Sequence, residues 1–380
     1  MARIKVLYVI DYLSAGGGTE RQLRELIVNL DRDRVEPILV TLSKLDWHGL
    51  PEHVNPNCEH FCLEIPSLAS PKGISQIFAL AKYIRREKID LVHTFFLDAN
   101  IVGVLAALLG GRKTVIVSRR DVGYWYTPRR LFVYRQFNRL ADYFLVNSSA
   151  IKRAVAEHER FRPERIKVIR NGFFSLPDDT PSPLTRASFG IPDDVPLVGI
   201  VANLRPVKRI DRFVEAAAAC KSKNAHFMVI GIGELKEALQ QQAERAGLNG
   251  RFHMTHTLDS IYDYVKLFDI GVLTSESEGL SNTLIEYQLC GKPALAFDVG
   301  GNNEVIVNEK TGYLIPPDDL DILIAKLDLL LADSQTRQTM GKAAAAWARE
   351  EFKGARLVEQ TTTFYEQALT GTDVDETGCL

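Results

Sequence analysis

No two cysteines of this sequence form a C-x-x-C pair. The five present, Cys58, Cys62, Cys220, Cys290 and Cys379, are scattered, with no histidines at zinc-finger spacing. That excludes a zinc ribbon, and an odd, dispersed set fits reduced thiols in the cytoplasm better than a disulfide framework. Long apolar runs are missing too: no window approaches the ~18 uninterrupted apolar residues that read as a membrane span. The opening stretch MARIKVLYVIDYL is basic and then apolar, as a signal peptide is. Asp11 breaks it and no small-residue cleavage site follows, so it reads as a buried first strand. Charge of one sign is lacking: 46 Lys and Arg stand against 48 Asp and Glu, a formal net charge of -2, and no chain-wide field calls for nucleic acid. A metal-ligand cluster is absent. The one D-x-D pair, Asp31 and Asp33, falls at the end of the first predicted helix and reads as a solvated turn.

What is present is a folded composition, 46% hydrophobic and 25% charged, on a chain of 380 residues, long enough for two domains. Apolar strand-like runs alternate with helical patterns almost from end to end. The first half offers IKVLYVI, PILVTL, IDLVHT, TVIVS, DYFLVNS and IKVIR; the second offers PLVGIVA, HFMVIG, FDIGVLT and KPALAF. Leu23, Leu26, Ile27 and Leu30 repeat at helical spacing after the first of these. Repeated βα units with near-continuous apolar strands predict parallel sheets covered on both faces. The stretch SLPDDTPSPL reads as a linker, which places one domain at 1–174 and a second at 185–350. Ligands of such sheets bind at the carboxyl ends of the strands, so the loops there are the place to look for function.

Three loops qualify. SAGGGTERQL sets Gly16, Gly17 and Gly18 between the first strand and a helix, where backbone can approach an anion or a hydroxyl-rich group. Its glycines are consecutive rather than G-x-G-x-x-G, and no acidic residue ends the second strand, so a dinucleotide is not expected; a ligand-free tight turn remains the alternative. NLRPVKRID brings Arg205 and Lys208 to the end of the second domain's first strand, a fork and a point charge suited to a diphosphate. SESEGLSNTLIEYQLCG sets Glu278 and Glu286 eight residues apart. On one continuous helix they would stand ~12 Å apart along the axis and about 80° around it. The Ser281-Asn282 pair is capping chemistry, so the helix starts there and Glu278 belongs to the loop. A phosphate at the helix start, against the backbone of Leu280, Ser281, Asn282 and Thr283, would leave Glu286 to accept from a ribose and Glu278 from the hydroxyls of an attached sugar. The plain alternative is a capping Glu286 and a solvated Glu278.

SESEGLSNTLIEYQLCGKPALAFDVGGNNEVIVNEKTGYLIPPDD closely resembles the E-x7-E region of retaining glycosyltransferases of GT-B fold, glycosyltransferase family 4. GGGTERQL, DLVHTFFLDAN, VIRNGF and GIGELKEAL resemble further motifs of that family, in the family's order. The resemblance implies two Rossmann-like doubly wound domains facing across a cleft. The first would bind the acceptor and the second the sugar nucleotide, with a last helix near 353–369 returning to the first domain. It implies a metal-independent, retaining transfer from a UDP- or GDP-sugar to a glycan or lipid-linked acceptor in cell-surface polysaccharide or glycoconjugate synthesis, with no further cofactor. Carried over by position, Glu286 would hold the ribose, Leu280 to Thr283 the phosphates, Glu278 the sugar hydroxyls, and Arg205 and Lys208 the leaving diphosphate. Two positions depart from the pattern: Asn203 stands where many relatives carry arginine, and His93 is followed by Phe95 where a second histidine is frequent. His93 is either a sugar contact or a hydrogen-bonded structural residue.

Residues 119–139 hold six arginines interleaved with Tyr124, Trp125, Tyr126, Phe132, Tyr134 and Phe137. Arginines among aromatics suit an anionic membrane surface or a lipid diphosphate, so the expected location is cytoplasmic with peripheral attachment to the inner face of a membrane. A core-facing helix with a basic solvated face is the alternative. Two other readings stand beside the transferase: a sugar-nucleotide epimerase of similar two-domain shape, and a sensor that keeps the fold without the chemistry.

Overall fold

The computed structural model describes residues 3–13, 17–43, 55–124, 126–177, 182–256 and 260–371. The chain divides into two compact units, one of Met1–Phe174 with Lys353–Leu380 and the other of Ser175–Phe352. Among the described residues no helix is long and apolar enough to cross a membrane.

The first unit begins with β1 (Ile4–Ile10), α1 (Gly18–Asn29), β2 (Val35–Thr41), β3 (Glu59–Cys62) and α2 (Pro71–Arg86). It continues through β4 (Leu91–Phe95), α3 (Leu97–Leu109), β5 (Thr114–Arg119), α4 (Pro128–Asn138), β6 (Tyr143–Val146), α5 (Ser149–His158) and β7 (Ile166–Val168). The seven strands run parallel in the order β3-β2-β1-β4-β5-β6-β7, so the winding reverses between β1 and β4. Val6, Leu7, Tyr8, Val9 and Ile10 of β1 are all fully buried, the mark of a strand covered on both faces.

The second unit contains β8 (Leu197–Val201), α6 (Ile210–Ala219), β9 (His226–Ile230), α7 (Lys236–Arg245), β10 (Phe252–Thr255), α8 (Ile261–Val265) and β11 (Ile270–Leu273). It ends with α9 (Asn282–Leu289), β12 (Ala294–Phe297), β13 (Gly312–Ile315), α10 (Leu320–Ala332) and α11 (Ser334–Glu351). Its six parallel strands lie in the order β10-β9-β8-β11-β12-β13, with the reversal between β8 and β11. The strands read from apolar runs are all present. Those runs do not include β3, β10 and β13: all three lie at sheet edges, β3 and β10 with exposed or half-exposed positions that break the apolar pattern, and β13 as a mostly buried stretch of only 4 residues.

The last helix, α12 (Gly354–Thr370), follows the second unit in sequence and belongs to the first. Leu357, Phe364, Tyr365 and Ala368 join the apolar cluster of Tyr8, Ile10 and Leu91. Arg34 holds the same helix from outside through Glu359 at 2.8 Å and Glu366 at 3.0 Å. Inside, the fully buried Tyr365 hydroxyl lies 3.1 Å from the Tyr8 hydroxyl and 2.7 Å from His93 Nδ1. Tyr365→Phe would leave the ring in place and strand two buried polar groups, a cost of about 1–3 kcal/mol. The expected result is a lower urea-unfolding midpoint for Tyr365→Phe; an unchanged midpoint would show that these contacts carry no stability.

Candidate active site

The loops at the carboxyl ends of β8 and β11 are stitched together in the second unit. After β8 the chain runs to Arg205, makes a short helical turn over Pro206–Lys208, and reverses at Arg209, whose φ of 45° and ψ of 44° are left-handed. Glu276 donates its N–H to Val207 O at 2.9 Å, and Thr274 Oγ1 donates to Lys208 O at 3.2 Å. On the other flank Leu204 donates its N–H to Ile232 O at 2.9 Å, in the turn after β9. Held on both sides, Lys208 reaches Glu278 with Nζ 2.6 Å from Oε1, their side chains 25% and 10% exposed. Arg205 and Asn203 are exposed, and among the described residues Arg205 makes no ion pair.

Glu278 is fixed from behind by a glycine corner. Gly300 has φ +56°, and a Cβ there would fall 1.8 Å from Glu278 O, so backbone stands where any other residue's side chain would go. Gly301 donates its N–H to Gly279 O at 2.9 Å. The helix α9 starts as its capping signal predicts: Ser281 Oγ accepts from Leu284 N–H at 3.3 Å. Leu280 is buried, and Asn282 and Thr283 are half-buried in the first turn. Glu286 follows one turn on, 5% exposed. Burial raises the pKa of the neighbouring Tyr287 hydroxyl, against a hydrogen bond it accepts from Val201 N–H at 2.7 Å. The loop also holds two side chains that spacing did not single out, Ser275 and Ser277, whose hydroxyls are buried without a partner among the described residues.

The first unit treats its candidates differently. Gly16 lies outside the described residues. A Cβ on Gly17 would sit 2.1 Å from Glu20 Oε2, so the carboxylate of Glu20 already folds back on the start of α1. His93, the middle residue of β4, is fully buried, and both ring nitrogens are engaged: Nδ1 with Tyr365 and Nε2 with Ser118 Oγ at 2.9 Å. Burial, with the charge of Arg120 in second place, holds its pKa well below the ordinary histidine value. That is the hydrogen-bonded structural setting, the second of the two readings of His93, with both ring nitrogens engaged inside the unit.

The basic-aromatic stretch also divides. Arg119 is buried and grips the Glu159 carboxylate with two bonds of 2.7 and 2.8 Å, while Tyr126 and Asn138 donate to the same carboxylate. Burial alone would raise the Glu159 pKa, but Arg119 and these donors hold it below the usual carboxylate value. Trp125 lies outside the described residues. On α4 the buried side chains are Tyr134 and Asn138, whereas Phe132 is 65% and Val133 43% exposed beside the exposed Arg129 and Arg130.

Two doubly wound parallel sheets in separate units, each with its winding reversal beside a loop of this kind, define a GT-B glycosyltransferase fold. A family model described as Glycosyl transferases group 1 matches residues 182–347, and one described as Glycosyltransferase Family 4 matches residues 16–173. The chain belongs to this glycosyltransferase family. It is similar to N-acetyl-alpha-D-glucosaminyl L-malate synthase of Bacillus anthracis, 27% identical over 185 residues, which is 48% of this chain and 49% of that one. The alignment thus spans about half of either protein. It is also similar to the UDP-Gal:alpha-D-GlcNAc-diphosphoundecaprenol alpha-1,3-galactosyltransferase of Escherichia coli, 26% identical over 291 residues, 71% of this chain and 73% of the relative. Among solved structures, Anabaena HepE in complex with UDP-glucose shares the fold with a TM-score of 0.83 at 23% identity, covering 96% of this chain and 100% of that one.

Asp11, just past β1, accepts from Ala99 N–H at 2.6 Å near the start of α3. Burial raises its pKa from 3.8 to about 6, against the opposing pull of that hydrogen bond. The folded chain therefore keeps a proton there that the unfolded chain has lost, and ionising Asp11 weakens the fold as pH rises from 4 to 6. Asp11→Asn keeps the acceptor and removes the charge. Its stability is expected to match wild type near pH 3.5, to gain on it between pH 4 and 6, and to level off above by on the order of 1–3 kcal/mol. Urea titrations across that range check this, and a pH-independent difference would contradict it.

Proposed function

We propose that the chain moves a glycosyl group from a UDP- or GDP-sugar to a glycan or lipid-linked acceptor, with retention of anomeric configuration and without a metal. The observation that carries this reading is the contact of Lys208 with Glu278 at the mouth of α9, with Glu286 one turn inside. The donor diphosphate lies against the backbone from Leu280 to Thr283, Glu286 accepts from the ribose and Glu278 from the sugar hydroxyls. Lys208, joined by the exposed Arg205, turns to the diphosphate. As the bond from anomeric carbon to diphosphate oxygen breaks and a bond to the acceptor oxygen forms, negative charge grows on the departing oxygens, and a fixed cation acts most strongly at that moment. The second unit is then the donor side and the first the acceptor side, with the turn at Gly17 and Gly18 facing acceptor hydroxyls. Two of the similar proteins, one a UDP-Gal transferase and one solved with UDP-glucose, support a sugar nucleotide as donor.

The test starts with thermal shifts against UDP-, GDP-, ADP- and CMP-sugars. A ligand that binds only the folded state at a hundredfold excess over its Kd adds about 2.7 kcal/mol. One sugar nucleotide should stabilise the protein, and Glu286→Ala should abolish the shift. Lys208→Ala and Glu278→Ala are each expected to slow transfer by orders of magnitude with the fold retained; wild-type turnover in both would remove the assignment.

The exposed apolar and basic face of α4 supports docking on an anionic membrane of the cytoplasmic face. The protein should sediment with anionic vesicles and not with neutral ones, and Phe132→Ser with Arg130→Ser should release it. Absence from both pellets would overturn the membrane reading and leave the transfer reading intact.

A further inference from the structure

The two adjacent arginines at the end of β5 meet opposite fates. Arg119 is sealed against Glu159. Arg120 turns elsewhere, with its guanidinium 5.8 Å from the centroid of the Phe95 ring. Its Nη1 donates to Asn171 Oδ1 at 3.1 Å, and its buried Nε has no partner among the described residues. No carboxylate of the described residues forms an ion pair with it, and burial pushes its pKa down to about 10. Asn171 Oδ1 also accepts from Asn147 Nδ2 at 3.3 Å. Asn147 is 3% exposed, and its own Oδ1 is buried without a partner. Arg120 directly follows β5, Asn147 directly follows β6, and Asn171 stands just beyond β7. Three neighbouring strands of one parallel sheet thus bring a cation and two amides to their carboxyl ends, where open α/β sheets bind ligands.

A half-buried guanidinium without a counter-charge weakens a fold unless something supplies that charge. An uncompensated cation next to an orphaned acceptor has a specific complement: an oxyanion for Arg120 and a neighbouring hydroxyl to donate to Asn147 Oδ1. We propose that Arg120, oriented by Asn171 and Asn147, binds the anionic group of an acidic acceptor, a phosphate or carboxylate borne by a hydroxylated sugar or polyol. The proposal rests on the transferase reading for the word acceptor; the anion site itself does not.

The experiment is calorimetric titration of the full chain with glucose 6-phosphate, glucuronate and neutral glucose, in wild type, Arg120→Gln, Arg120→Met and Lys208→Ala. Wild type should bind at least one acidic probe tenfold or more tighter than glucose. Both Arg120 variants should lose that preference, and Lys208→Ala should keep it. Which acidic probe binds tells phosphate from carboxylate. Because the unliganded cation is a burden, Arg120→Met should also raise the melting temperature of the free protein, a result a purely structural arginine would reverse. Equal binding of acidic and neutral probes, loss in Lys208→Ala instead, or a lowered melting temperature in Arg120→Met would overturn the proposal. Sugar-nucleotide binding, measured in parallel, should be the same in wild type and both Arg120 variants. If acidic probes bind through Arg120 and no sugar nucleotide binds at all, the anion site stands and the transferase reading fails.

Discussion

The contact between Lys208 and Glu278 closes a pair of loops at the carboxyl ends of two neighbouring strands of the second unit. The two residues leave neighbouring strands, β8 and β11, at the point where the winding reverses and the helices that follow depart to opposite faces. A gap opens at such a point in every doubly wound sheet. Here the backbone bonds from Glu276 and Thr274 to the Pro206–Lys208 turn bridge its rim, and the ion pair sits on top of them. The left-handed backbone of Arg209 belongs to the same device. It lets the chain double back into α6 directly after presenting Lys208, and Arg209 is kept there by Asp211 and Asp318 on the outer surface.

Central strands were readable because burial on both faces demands an unbroken apolar run, and the start of α9 was readable because a serine cap is a local event. β3, β10 and β13 were not: EHFC, FHMT and GYLI are all short, the first two are partly solvated as well, and each strand pairs with a neighbour on one side only. Pairings at long range were out of reach for a different reason. His93 meets Ser118 across 25 residues and Tyr365 across 272, and no spacing rule links them. From the sequence His93 therefore looked as ready for a ligand as for the core. Arg119 misled in the same way: its partner Glu159 lies 40 residues on, beyond α4, and only the fold removes that charge from the surface count. Lys208 and Glu278 were each placed at the site in separate roles, and their mutual contact across 70 residues became visible only in three dimensions.

Polar groups are arranged in contrasting ways in the two units. The second unit keeps acid and base in contact at the carboxyl ends of its two central strands. The first sinks its histidine into a neutral relay of Tyr8, Tyr365, His93 and Ser118, which can hold position but has no charge to give. Beside this relay Phe96 takes a φ of 67° and ψ of 178°, a conformation rare for a side chain of its size, and stacks on the exposed Tyr12 at 5.4 Å. Backbone held in such a region costs of order 1–3 kcal/mol, so the surrounding packing must over-determine it.

The last helix gives the chain an order of events on the ribosome. Every strand of the first unit has been synthesised once residue 168 emerges, yet the side chains that cover Tyr8 and Leu91 arrive with Leu357, Phe364 and Tyr365. Until then the second unit is made in full while the face of the first sheet that α12 will cover, with the imidazole of His93, lacks its lid. The nascent first unit must therefore wait with part of its core open through the synthesis of nearly half the chain, and that interval is when a chaperone would find it.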